Sequence, residues 1–216
     1  MKTDISFSKI NKLAIPALIA GIAEPLISIT DTAIIGNIDY NAKESIGAIA
    51  IVGSFLSMLI WVFAQTRSAV SSIISTYLGA NKLEKVKTLP AQAMSIVVSL
   101  GFLVIILTYP FSEFIFKAFG ADQNILTYAV DYYEIRIIGL PFTLFVFTVF
   151  GTFRGLQNTL QPMLIALLGA ILNIIFDWIL VYGIDGIIPA MNVKGAAYAS
   201  VISQIVMALA AGYLLH

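Results

Sequence analysis

Met163 to Val181 reads MLIALLGAILNIIFDWILV, a run of apolar residues with one formal charge, Asp177. A membrane-spanning helix takes about 20 consecutive, mostly apolar residues, and this run has that length. It does not alternate between apolar and polar positions, as the strands of a membrane barrel do. Ala91 to Tyr109 (AQAMSIVVSLGFLVIILTY) repeats the pattern with no charged residue at all. These two stretches decide the fold class: α-helices that cross a bilayer.

The rest of the chain agrees. Of its 216 residues, 59% are hydrophobic and 11% charged, with 12 Lys and Arg against 12 Asp and Glu and a mean hydropathy of +0.95. Soluble domains average about 25% charged residues, so a soluble globule is excluded, as is a disordered chain, which needs high charge and low hydrophobicity. Zero net charge with no basic patch excludes a nucleic-acid partner. There is no cysteine for thiol chemistry, disulfides or metal ligation, and the single histidine is the last residue, His216. Enzymatic chemistry is therefore not expected, and the bilayer is the first partner implied.

Six spans follow from the punctuation: Lys9 to Gly36, Glu44 to Leu78, Leu89 to Tyr109, Tyr128 to Phe153, Pro162 to Gly183 and Lys194 to His216. The first outruns the apolar core of about 7–15 residues found in a signal peptide and is read as retained. Pro110 to Asp122 (PFSEFIFKAFGAD) is too short to cross and suits a helix lying at the interface. With a cytoplasmic N-terminus, the inner segments hold Lys2, Lys9, Lys12, Lys82, Lys85, Lys87 and Arg154, against Lys43, Lys117 and Lys194 outside, with Arg136 near that side. That bias follows the positive-inside rule and predicts a multi-pass protein of the cell inner (cytoplasmic) membrane. The sixth span stops without a polar tail, so residues 1–216 read as a truncated bundle.

Charge at membrane depth is costly and normally faces a cavity or a partner. Glu24, Asp31, Arg67 and Asp177 lie inside spans. Helical spacing puts Glu24, Ser28 and Asp31 on one face of span one, and Asn173 and Asp177 on one face of span five. Span six adds Ser200, Ser203 and Gln204. Carboxylate, amide and hydroxyl oxygens suit a hard cation such as Na⁺, and burial disfavours a carboxylate's charge, which suits the same groups to a proton. A structural alternative pairs an Asp with Arg67. Pro16, Pro25 and Pro141 interrupt spans and permit bends. Tyr132, Tyr133, Phe142, Phe145 and Phe147 either line a pocket for flat cations or face lipid and neighbouring helices.

Four segments resemble the multidrug and toxic compound extrusion (MATE) transporters, and best their DNA-damage-inducible F (DinF) branch. They are PLISITDTAIIGN (Pro25 to Asn37), RGLQNTLQPM (Arg154 to Met163), LNIIFDWILVYG (Leu172 to Gly183) and KGAAYASVISQ (Lys194 to Gln204). The resemblance implies an all-α polytopic fold in which six helices make one lobe of a twelve-helix transporter, residues 1–216 being the N-terminal bundle. A missing C-terminal lobe, or a second copy, would then complete the cavity. It further implies export of organic cations, drugs and other amphipathic compounds, driven by inward H⁺ or Na⁺, with no other cofactor. Carried over residue by residue, the cation or proton site falls on Asp31, Asn173, Asp177 and Ser200, where relatives usually have Thr in place of Ser200. Glu24 and Gln204 are secondary cavity residues, and Pro16 is the hinge of span one.

Two other functions compete with this reading. A lipid-linked oligosaccharide flippase of the same superfamily would carry several cationic cavity residues, whereas only Arg67 is clearly intramembrane by sequence. An intramembrane aspartyl protease would need a Gly-x-Gly-Asp motif, and Gly183-Ile184-Asp185-Gly186 lacks it.

Overall fold

The computed structural model describes residues 6–38 and 41–215; the side chains of Glu24 and Gln123 lie outside the described part. Eight α-helices follow one another: α1 (Phe7–Gly36), α2 (Ala42–Gly79), α3 (Leu83–Thr108), α4 (Ser112–Ala118), α5 (Gln123–Arg136), α6 (Leu140–Gly155), α7 (Leu160–Tyr182) and α8 (Asn192–Leu215). Among the described residues there is no strand, only an isolated bridge between Ile184 and Ile188.

Six segments are long and apolar enough to cross a membrane: Phe7–Gly36, Ala42–Gly79, Leu83–Ala118, Asn124–Gly155, Leu160–Tyr182 and Asn192–Leu215. The chain is a multi-pass membrane protein. Within a bilayer every backbone polar group must be satisfied internally, which helices do and irregular chain does not. Polar side chains therefore stay close to home: the hydroxyls of Thr30, Thr32, Ser54 and Ser95 each donate to the carbonyl four residues back.

Local sequence sets the helix ends. Ser6 caps α1 by accepting from the Lys9 N–H, and Asp122 caps α5 by accepting from the Ile125 N–H at 3.0 Å, relieving N–H groups that have no partner inside the helix. Gly183 ends α7 at φ +77°, and a Cβ there would come within 2.6 Å of the Ile188 carbonyl oxygen. Span four is broken where Gly139-Leu140-Pro141 predicts: α5 and α6 are joined by a 3₁₀ turn at Ile137–Gly139, with Pro141 in the first turn of α6. Proline is tolerated there because that N–H would be unpaired anyway. The segment expected at the interface is a 3₁₀ turn, Tyr109–Phe111, running into α4, and both continue the third apolar span, Leu83–Ala118. Pro16 and Pro25 lie within a continuous α1.

Two apolar cores hold the lobe together. Near the α1–α2 turn, Ile35, Val52, Phe55, Phe116, Tyr133 and Leu144 interdigitate, with Phe55, Phe116 and Tyr133 edge to face at 5.1 to 5.9 Å. Toward the Lys82 end a second core gathers Val149, Phe150, Ile165 and Ala211. Helices α1, α7 and α8 pass between these cores. α7 packs along both α1 and α8, and Gly195 of α8 sits hard against α7: a Cβ would fall 2.4 Å from the Leu180 carbonyl oxygen. Small residues at such crossings let membrane helices approach closely.

Gly195→Val should therefore push α8 off α7 and break the bond of the Met191 N–H to the Leu180 carbonyl, now 2.9 Å. The expected cost is about 1–3 kcal/mol, as for overpacking elsewhere, read as a lowered unfolding temperature in detergent. An unchanged melting curve would show that the two helices can separate freely.

Candidate functional site

Three helices bring the four predicted cation-site residues to one place. Asn173 and Asp177 are one turn apart on α7, Asp31 comes from α1 and Ser200 from α8; all are buried, Asp177 completely (0% exposed). The Asn173 Nδ2 donates to the Ser200 Oγ at 3.4 Å. The carboxylates of Asp31 and Asp177 face each other within hydrogen-bond reach. Just beyond them the Tyr182 hydroxyl donates to the Ile34 carbonyl at 2.8 Å, fastening α7 to α1.

Three of the four carboxylate oxygens have no donor among the described residues. Asp31 Oδ1, Asn173 Oδ1 and both oxygens of Asp177 are buried without an N–H or O–H directed at them. Two facing carboxylates cannot both keep their charge in such a place unless something positive joins them. The set can hold a hard cation among four oxygens, or share a proton between the acids.

One residue near this site was not read as part of it. Arg136 counts by sequence as a cation near the outer side, and its guanidinium lies within electrostatic range of both Asp31 and Asp177. Its Nε donates to the Tyr132 hydroxyl at 3.3 Å, and Tyr132 is 3% exposed. The usable signal was the four-residue spacing of Tyr132 and Arg136 at the end of α5. Among the described residues no ion pair joins Arg136 to either acid.

The other predicted residues divide. Ser28 is exposed, so the polar stripe expected on span one narrows to Asp31. Glu24 lies on α1, its side chain outside the described part. Gln204 and Arg67 line a separate cavity of about 200 Å³ between α1, α2, α6, α7 and α8. The alternative of an Asp–Arg67 pair is not what the lobe contains: Arg67 stacks over Phe147 at 5.3 Å and makes no ion pair with a described carboxylate. Nor is Arg67 the sole cation within a span, since Arg136 lies in the span Asn124–Gly155 and is half-buried too. Pro16 borders an open cleft of about 980 Å³ between the start of α1 and the α6–α7 loop, with Lys9, Lys12, Asn158 and Thr159.

Comparison with known proteins adds the family context. The MatE family model matches residues 16–179. The chain is 28% identical over 192 residues to DNA damage-inducible protein F of Escherichia coli, covering 89% of this chain and 40% of that protein. It is 27% identical over 203 residues to the multidrug export protein MepA of Staphylococcus aureus, covering 94% and 44%. Among solved structures it superposes on a MOP superfamily transporter from Pyrococcus furiosus with a TM-score of 0.86 at 26% identity, covering 96% of this chain and 44% of that one. The chain thus spans less than half the length of these relatives and forms one lobe of their fold.

Arg136→Gln removes a positive charge that competes with any cation arriving at the acids. Cation binding should strengthen by about tenfold, equivalent to about 1.4 kcal/mol of coupling, read as sodium-dependent thermal stabilisation. Weakened binding would mean that the guanidinium organises the site instead of opposing its ion.

Proposed function

The chain belongs to the MatE family, and on that premise we propose that it is the ion-coupling lobe of a multidrug exporter of organic cations and amphipathic compounds. The observation that carries this reading is the set of four buried oxygens without donors on Asp31, Asn173 and Asp177. Drug export is what the name of the similar MepA protein states of that protein. The location proposed is the cell inner membrane with the N-terminus cytoplasmic, in keeping with the clustering of Lys82, Lys85, Lys87 and Arg154. A second six-helix bundle, or a second copy of this one, would close the substrate path.

The proposed cycle needs only what these side chains supply. With the site empty, the facing carboxylates of Asp31 and Asp177 repel each other and attract a cation. An incoming H⁺ or Na⁺ neutralises them, with Asn173 and Ser200 completing the oxygen set around Na⁺. Drawing α1 toward α7 in this way changes the course of α1 below Asp31, where Pro16 leaves one backbone bond unmade and offers a hinge. Bending there narrows the lobe and expels the substrate outward. Ion and substrate are linked because each favours a different shape of α1, and such linkage is reciprocal. The coupling ion is the only cofactor in this scheme.

Asp31→Asn and Asp177→Asn in the natural gene product should each abolish ion-driven efflux while leaving membrane insertion intact. Ethidium and norfloxacin efflux from cells lacking other pumps provides the readout, and undiminished efflux in both variants would sink the proposal. Repeating the assay with and without Na⁺ at a fixed pH gradient separates the two coupling ions.

A further inference from the structure

The cavity beside the acid site has the opposite character. Ala23, Phe147, Phe150, Ala166 and Met207 give it apolar walls, and its polar groups are Arg67, Thr143 and Gln204. The Thr143 hydroxyl donates to the Gly139 carbonyl at 3.3 Å and is thereby engaged. Arg67 and Gln204 are not: Arg67 Nε is buried without an acceptor, and Gln204 Oε1 is buried without a donor. Arg154, within electrostatic range of Arg67, also has a buried Nε with no acceptor. Among the described residues neither guanidinium has a carboxylate partner.

A guanidinium at this depth is expensive to leave unpaired. Stacking on the Phe147 ring at 5.3 Å offsets part of that cost through the ring's negative face. The rest calls for an anion, and the planar guanidinium fork matches a carboxylate or phosphate with two charge-assisted bonds. A simple organic monocation would meet repulsion here. Size narrows the choice further. The cavity's volume of about 200 Å³ exceeds the roughly 150 Å³ that holds benzene but falls short of the roughly 300–1,000 Å³ of a drug-sized pocket. A head group fits, while its tail must leave. The rim at Gly21 carries no side chain, and a Cβ added there would meet nothing within 4 Å. Beside it run the exposed apolar side chains of Leu18 and Ile22.

We propose that the Arg67 chamber binds the anionic head, carboxylate or phosphate, of an amphiphile whose apolar tail exits past Gly21 along α1. This deepens the export reading by naming one substrate class, and rests on it only in taking the lobe as one that admits substrates. Glu24 stands one turn from Ala20 and Ile27 along α1, so its effect is measured separately.

The test uses the purified protein in phosphatidylcholine nanodiscs and a dansyl-labelled fatty acid, with its methyl ester and the matching alkylamine as controls. The acid should bind at least about tenfold tighter than the ester, the scale of one charge-assisted bond, and the amine should gain nothing. Arg67→Gln should erase that preference and Arg67→Lys keep part of it. If Arg67→Gln fails to fold, Gln204→Glu places an anion inside the chamber and should erase the preference equally. Adding phosphatidylglycerol identifies the source: competition in wild type but not in Arg67→Gln means that a lipid head group enters, and no competition means that the site takes free amphiphiles.

Equal affinity for acid and ester overturns the proposal, as does a preference that survives Arg67→Gln. A preference that emerges only with Glu24→Gln makes Arg67 that residue's counterion and overturns it too. Ethidium efflux measured in parallel separates this proposal from the export reading. Absence of efflux by the wild-type protein with an intact acid preference sinks the export reading alone, and wild-type efflux without the acid preference sinks the anion chamber alone.

Discussion

The facing carboxylates of Asp31 and Asp177 are the constraint on which the rest of the lobe depends. In a helical membrane protein nearly every backbone N–H is already committed to a carbonyl of its own helix. An acid buried among such helices finds few donors unless side chains supply them, and around Asp177 none is supplied. The lobe must therefore hold two acidic groups together against their repulsion whenever no cation joins them. It does so through contacts elsewhere: the Tyr182 hydroxyl bound to the Ile34 carbonyl, the close approach at Gly195, and apolar cores on either side of the acid layer.

The cost of charge in lipid also explains why the positive groups lie where they do. Arg136 is drawn to the acids and oriented by Tyr132, while Arg67 is kept one layer away on the Phe147 ring. Helix α8 contributes to both layers. Ser200 belongs to the acidic group and Gln204, one turn on, to the cationic chamber, a separation of about 6 Å along the axis. The lobe thus stacks two polar chambers of opposite sign.

Much of this was legible in the sequence, and the limits have physical reasons. Run length and continuity alone gave the six spans, since the bilayer fixes how long an apolar helix must be. The burial of Asp31, Asn173 and Asp177 followed from the cost of charge and amide at that depth. The convergence of Arg136 on the acids did not follow, because it depends on how α5 packs against α2 and α8, helices remote from it in the chain. Ser28 shows the opposite error: helical spacing put it on the face of Asp31, yet the lobe leaves it exposed. Spacing specifies which residues share a stripe but not how wide a stripe the neighbours cover. The break in span four, by contrast, was legible in Gly139-Leu140-Pro141, and the backbone tightens into a 3₁₀ turn there, at Ile137–Gly139.

Helix α1 carries the last step of the synthesis. It holds Asp31 against α7, forms a wall of the Arg67 chamber through Ala20, Ala23 and Ile27, and borders the open cleft at Pro16. These three positions lie on one continuous helix, so they do not move independently. A change in charge at Asp31 that shifts the upper half of α1 must also move the chamber wall about one to three turns below it, unless the helix yields between them. Pro25 lies between Asp31 and most of that wall, and Pro16 lies beyond it. Each proline leaves one backbone bond unmade and lowers the cost of bending at its own position. A bend at Pro16 moves acid site and chamber as one body, whereas a bend at Pro25 uncouples them. In the proposed cycle, coupling between ion and substrate therefore depends on which of the two prolines gives way first.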